Sequence, residues 1–329
     1  MFGVFIRALA VALMFFPALA SAQSPVRAFP PGMFQNRAAL DAAAGGGGYT
    51  GPGDVISSSK AWYGFRAYNA TYATALGNIA DLVDTATGAA SCTMVAKSNG
   101  DADVSSLSCV GGTLSVTTFC TVTHVAGCSI SKLYDQSGAN GCTGTIPCDA
   151  AQTTHANRPV FTLSGANSKP GMQCTGASTL YLKNSSFVSS TSQPFSVSWV
   201  AERTGAFTSF GDVFTGLNGG SQFGFGNSAN TALFFAGTVV TASATDSAFH
   251  AVQSLANGAS SSGLVDGTTT GTINIGASGL SSDIGLCASS NGTGNPGTLI
   301  FEEAGFWSGD KSASFGSMHS NQSSYYGTP

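Results

Sequence analysis

From Ser91 to Trp307 the chain runs in short apolar segments, each cut off by Gly, Ser, Thr or Asn before a long helix could form. Segments of that length between turn residues are the signature of β-strands. Phe195-Ser196-Val197-Ser198-Trp199-Val200 alternates with period two, the pattern of a strand with one buried face. Strand signals also stand at Ser91–Ala96, Thr113–Thr118, Ser129–Tyr134, Pro159–Leu163, Thr179–Leu182, Leu233–Phe235, His250–Leu255, Gly263–Asp266, Thr272–Ile275 and Leu299–Trp307. Composition closes off the helical alternative. Only 9% of residues are charged and three are Glu, so surface helices would lack the residues that give them propensity and i,i+4 pairing. Two segments are left for short helices: Ala61–Tyr68, read as a helix or an aromatic-rich turn, and the tail Ser312–Tyr326. The 22 Phe, 8 Tyr and 3 Trp supply a core and exclude a disordered chain. Twelve Lys+Arg against 16 Asp+Glu leave a net charge of −4, without the basic footprint a nucleic-acid partner requires. The expectation is an all-β sandwich, a single domain over residues 51–329.

The N-terminus reads as an export signal. Arg7 precedes the apolar run Ala8–Phe16, and Ala20-Ser21-Ala22 offers a small-residue cleavage site, which assigns residues 1–22 to a signal peptide. No other stretch approaches the length of a membrane span, so no membrane partner is expected after cleavage. Residues 23–50 end in Gly45-Gly46-Gly47-Gly48 and read as a flexible leader. Eight cysteines, all beyond the signal, fit a secreted protein, periplasmic or extracellular, with four disulfides. No pair has the C-x₂-C spacing of a zinc site. The short loops Cys120–Cys128 and Cys142–Cys148 are natural bridges, Cys92–Cys109 would close a hairpin, and Cys174–Cys287 would tie distant strands; spacing alone does not fix this connectivity.

Three local patterns go further. Thr118-Phe119-Cys120, then Cys128, then Leu133-Tyr134-Asp135-Gln136-Ser137-Gly138 resembles the T-F-C…C…Y-D-Q-S-G stretch of the family 54 α-L-arabinofuranosidases, and the aromatic opening Tyr63–Tyr72 looks like that family's start. Phe249-His250-Ala251-Val252 with Leu264-Val265-Asp266-Gly267 is similar to a hairpin common in concanavalin-like and laminin-G-like jelly rolls. Leu299–Trp307 with the tail to Tyr326 looks like the last strand and helix of the same sandwiches. The resemblance implies a concanavalin-like jelly-roll β-sandwich with short loop helices and a short C-terminal helix. It also implies polysaccharide or another glycan as partner, and action on terminal arabinofuranosyl groups if the chain is catalytic. The alternative is a lectin-like glycan-binding, cell-surface or structural protein on the same sandwich.

A retaining glycosidase needs two carboxyl groups about 5–5.5 Å apart, one of them a proton donor with a raised pKa. The family's nucleophile follows vicinal cysteines in an F-D-Y-G-N-A-E segment; the nearest stretch here is Phe210–Gly216, which keeps an Asp, Asp212, but no following Glu and no adjacent cysteines. The family's acid stands in G-I-G-G-D-N-S, where this chain reads Gly285-Leu286-Cys287-Ala288-Ser289-Ser290. Asp212 and Glu202 are therefore the catalytic candidates, with an ion pair to Arg203 as the alternative reading of Glu202. Glu302 and Glu303 should face opposite sides of one strand, one inward and one outward. Asp135 reads as a turn acceptor, Asp266-Gly267 as a hairpin turn and His250 as a packed strand residue. Trp62, Tyr63, Tyr68 and Trp307 are candidates for stacking on sugar, with core packing as the alternative. No cofactor is expected. Calcium is the one ion such sandwiches commonly hold, and Asp81, Asp84, Asp101 and Asp103 lie in loop-like stretches, but no calcium loop is complete and no metal ligand is assigned.

Overall fold

A computed structural model describes residues 48–329 apart from 139–141, 143–147, 177–179, 186, 188–190, 207–209, 217–219, 281, 290–291 and 293. The signal and most of the leader lie outside the described residues, as does Thr179. In chain order the strands are β1 (Ala61–Gly64), β2 (Asn78–Asp84), β3 (Ser91–Val95), β4 (Leu107–Cys109), β5 (Gly112–Leu114), β6 (Cys128–Leu133), β7 (Ala150–Ala151), β8 (Val160–Thr162), β9 (Gly171–Cys174) and β10 (Leu182–Asn184). They continue as β11 (Phe195–Arg203), β12 (Gly211–Gly216), β13 (Gln222–Phe225), β14 (Thr231–Phe235), β15 (Val239–Ser243), β16 (Phe249–Ala256), β17 (Ser261–Val265), β18 (Thr268–Ile273), β19 (Ile284–Leu286) and β20 (Leu299–Ser308). Among the described residues the α-helices are α1 (Pro52–Val55), α2 (Ala70–Thr74) and α3 (Phe315–Tyr326), with single helical turns elsewhere. None of them is long and apolar enough to cross a membrane.

Every strand pairing is antiparallel. One layer runs β18-β17-β16-β11-β20, with β1 and β9 side by side along the far edge of β20. The other runs β15-β14-β13-β12-β19-β10-β7. Strand β6 joins them: β2, which begins the β2-β3-β4-β5 flap, pairs along one edge of β6, and β7 and β8 lie end to end along the other. The layers meet through aromatic rings on strands that share no hydrogen bonds: Phe195 on Phe223 at 6.0 Å, Trp199 on Phe225 at 5.3 Å and Phe214 on Phe306 at 6.4 Å. This is the all-β jelly-roll sandwich that the sequence implies. Along β11, Phe195, Val197, Trp199 and Ala201 point into this core, and burying one such large side chain contributes about 2–3 kcal/mol.

All four bridges are the pairs the spacing suggested: Cys92–Cys109, Cys120–Cys128, Cys142–Cys148 and Cys174–Cys287. The last links the end of β9 in one layer to the residue after β19 in the other.

Two expectations are corrected. Ala61–Gly64 is a strand, not a helix or turn, because it pairs Ala61 with Phe306 and Tyr63 with Ala304; the ladder along β20 outweighs local preference. The segment expected as a strand at Thr113–Thr118 stops at Leu114, and Thr118–Thr123 winds into a helical turn that enters the Cys120–Cys128 loop. The leader's last residues are held: Tyr49 donates to the Ala67 carbonyl at 2.5 Å and Asn321 donates to that of Thr50 at 2.8 Å.

Candidate functional site

Asp212 sits on β12 opposite Gly224 of β13. Phe223 and Phe225, the neighbours of Gly224, point into the core, so alternation turns Gly224 and Asp212 to the outer face of their layer. A β-bulge after Asp212 brings the two backbones close: a Cβ on Gly224 would lie 2.2 Å from the Gly211 carbonyl oxygen, so only glycine fits there. Asp212 is nevertheless sealed, with no exposed surface. Its amide donates to the Asn295 carbonyl at 3.1 Å, and the Gly297 amide returns to Cys287, so the segment after β19 runs alongside it. Neither carboxylate oxygen has a hydrogen bond of ordinary geometry. Burial pushes this carboxyl well above its usual range, opposed by the Asn295 side chain. Desolvation therefore favours the protonated form of this group. Ser289, which stands where the resemblance would put the family's acid, is buried in the same segment and accepts from the Gly294 amide at 2.9 Å.

Glu202 lies in the other layer. Val197, Trp199 and Ala201 face the core, so Glu202 faces outward from β11, on the opposite side of the sandwich from Asp212. The two candidates cannot act on one bond. Glu202 is half-buried, and burial raises its carboxyl while His250 lowers it. It does not pair with Arg203, which points the other way and donates to the Ser228 carbonyl at 2.7 Å, with Asp246 at 3.5 Å.

Glu302 and Glu303 depart from the expected alternation. Val200 pairs with Glu303 and Ala201 with Phe301, so Glu302 is the extra residue of a bulge and both carboxylates turn to the outer face under α3. Both are fully buried, so neither points outward to solvent. Glu303 takes a bidentate pair from Arg66 at 2.7 and 2.8 Å, a bond from Gln322 at 2.9 Å and one from the Tyr326 hydroxyl at 3.0 Å. Gln322 also donates to Ser198 at 3.0 Å and accepts from Gln253 at 2.5 Å. The Tyr325 ring lies under both Arg66 at 4.7 Å and Lys169 at 4.5 Å. Glu302 accepts from the Ala166 amide at 2.8 Å through one oxygen, while the other has no hydrogen-bond partner. Burial, with the neighbouring Glu303 and Glu202, pushes its carboxyl well above the usual range. This network belongs to the docking of α3. Its sequence signal was the stripe Phe315, Met318, Gln322, Tyr326, all buried and at helical spacing, with one amide among apolar groups.

The aromatic candidates are core residues. Trp62, Tyr63, Tyr68 and Trp307 are at most 2% exposed, which leaves no ring face for a sugar. Trp62 packs between Tyr68 at 5.6 Å and Trp307 at 5.8 Å, over Gly305, where a Cβ would lie 2.0 Å from the indole. Tyr63 donates to the Cys148 carbonyl at 2.6 Å, and Trp307 to that of Ile56 at 3.1 Å.

Asp135 is a turn acceptor, taking the Trp62 amide at 2.9 Å and the Ser137 amide at 3.0 Å; burial lifts its carboxyl to about 6. His250 contacts the Asp266 carboxylate through Nδ1 at 2.5 Å and the Thr245 carbonyl through Nε2 at 2.6 Å. Both partners are acceptors, so both ring nitrogens carry protons and no lone pair is left for base catalysis. Burial opposes that charge, and the bonds to Asp266 and Thr245 outweigh it, so the histidine pKa is raised. Among the described residues no three His, Cys, Asp or Glu side chains converge as a metal site. Asp81, Asp84, Asp101 and Asp103 accept instead from Thr93, Thr87, Lys169 and Ser105.

No protein-family model matches the sequence, and no curated protein matches it. Solved structures do match. A glycoside hydrolase family 54 α-L-arabinofuranosidase soaked with a cyclic sulfate inhibitor aligns with a TM-score of 0.62 at 15% identity. A mutant of a family 54 enzyme soaked with 4-nitrophenyl α-L-arabinofuranoside aligns at 0.62 and 16%. An arabinofuranosidase complexed with arabinofuranosyl-α-1,2-xylobiose aligns at 0.58 and 15%. In each case 83% of this chain is covered, and it spans 64% of the other chain's length. The likeness is one of fold, and it extends the resemblance seen in the Tyr134–Gly138 block to the sandwich as a whole.

Proposed function

We propose that this is an exported glycan-binding protein on an arabinofuranosidase-like sandwich, which accepts terminal arabinofuranosyl groups of a polysaccharide and does not cleave them. The fold and the sugars held by similar structures support the substrate class. The signal-like N-terminus and four bridges support export. The observation that carries binding over hydrolysis is the placement of the carboxyls. Asp212 and Glu202 lie on opposite outer faces, and Glu303 is committed to Arg66 beneath α3. A two-carboxyl mechanism requires both groups on one bond.

One observation favours hydrolysis as a second reading. Burial pushes the Asp212 carboxyl well above its usual range, the direction in which a general acid is tuned. Titration calorimetry with arabinofuranosyl-substituted xylan oligosaccharides, against unsubstituted ones, tests the proposal. Saturable binding that requires the arabinofuranosyl branch is expected. Equal affinity for both, or none for either, would overturn it.

A further inference from the structure

The open side of the sandwich ends in two edge strands, β15 and β18, and they are built differently. Strand β18 is broken as a template: its pairing with β17 is interrupted by a bulge between Ser262 and Leu264, and Gly271 within it has φ +69°. Strand β15 pairs in unbroken register with β14, from Val239 opposite Phe235 to Ser243 opposite Thr231. Among the described residues no backbone hydrogen bond leads from β15 to any other strand. Its residues are exposed in alternation, with Val239 at 46%, while Val240 and Ala242 close the core but stay partly wet.

Natural sheets protect such edges with charge, proline or bulges. Here none is present. From Val213 to Thr245 the sequence holds no Asp, Glu, Lys, Arg, His or Pro, so neither β15 nor the two strands before it repel a neighbour. We propose that β15 is a self-association edge, where two copies of this chain pair antiparallel, β15 against β15, around a twofold axis near Thr241. The strand suits this. Centred on Thr241, Val239 meets Ser243 and Val240 meets Ala242, and no like charges oppose one another. The twofold is closed because each copy uses the same edge. On the same side of the sandwich, the irregular β18 offers no second flat edge to extend the pair into a filament. This inference does not depend on which glycan the protein binds.

Light scattering on the purified, oxidised full chain, over a concentration series reaching roughly 100 μM, tests it. The expected mass is twice that of the chain. Val239→Lys with Thr241→Lys places ammonium groups across the axis and should raise the dissociation constant roughly tenfold or more. Both side chains are exposed, so the circular dichroism spectrum and melting temperature should be preserved. Thr269→Lys on β18 should leave the pair intact. A monomeric wild type throughout, open-ended assemblies, or a dimer that survives the β15 lysines but not Thr269→Lys would each overturn the proposal.

Discussion

Replacing Asp212 by Asn should stabilise the protein by an amount that grows with pH. The carboxyl is fully buried, neither oxygen has an ordinary hydrogen bond, and its folded pKa is well above the unfolded value. Between those two values the folded state holds a proton that the unfolded chain has released. The stabilisation this group contributes is therefore complete below about pH 4 and falls by about 1.4 kcal/mol for each pH unit above it. An amide has nearly the same shape and nothing to titrate. The variant should match wild type at pH 4 and gain on it as pH rises, at about 1.4 kcal/mol per pH unit until the folded pKa is reached. Urea unfolding followed by tryptophan fluorescence at half-unit pH steps measures this difference. Other groups, including Asp84 and Asp101, whose carboxyls are lowered by their bonding partners, cancel because both proteins carry them. Parallel stability curves from pH 5 to 7 would refute the reasoning, since they would mean that Asp212 is ionised in the fold.

Three further outcomes follow from the same geometry. Glu303→Gln leaves Arg66 buried and unpaired, and should cost about 3–5 kcal/mol in chemical unfolding. Removing the Cys174–Cys287 bridge by a double Ala substitution opens a link across 113 residues and should cost about 4.8 kcal/mol on the loop-entropy estimate, with the other three bridges still intact by mass spectrometry. His250 has a raised pKa, so its ion pair with Asp266 stabilises the fold fully below about pH 6.5 and fades as pH rises through the folded value. His250→Gln should therefore lose more stability at pH 5.5 than at pH 8.5 in paired unfolding curves.

Strand β11 was legible because Phe195–Val200 alternates cleanly, and the bridges because short loops leave few partners within reach. The sandwich followed from the same punctuation. Strand β12 was not read as one, since Gly211-Asp212-Val213-Phe214-Thr215-Gly216 is buried on both faces and bulged, which erases the period of two. Trp62 and Trp307 looked like sugar platforms because sequence cannot see that Gly305 opens a slot for the indole. The alternation rule failed at Glu302 and Glu303, where one inserted residue turns both carboxyls under α3. Asp212 was found from its likeness to a family segment, but its separation from Glu202 is set by which layer each strand joins. That is a long-range property no local pattern contains.

The central claim is that the sandwich holds an arabinofuranosyl group without hydrolysing it. It is tested most directly by incubating the purified, oxidised protein with 4-nitrophenyl α-L-arabinofuranoside from pH 4 to 8 and following 4-nitrophenol release, in parallel with calorimetric binding of arabinoxylan oligosaccharides. The account predicts saturable binding with release no faster than the buffer blank. Release that is abolished by Asp212→Asn would contradict it.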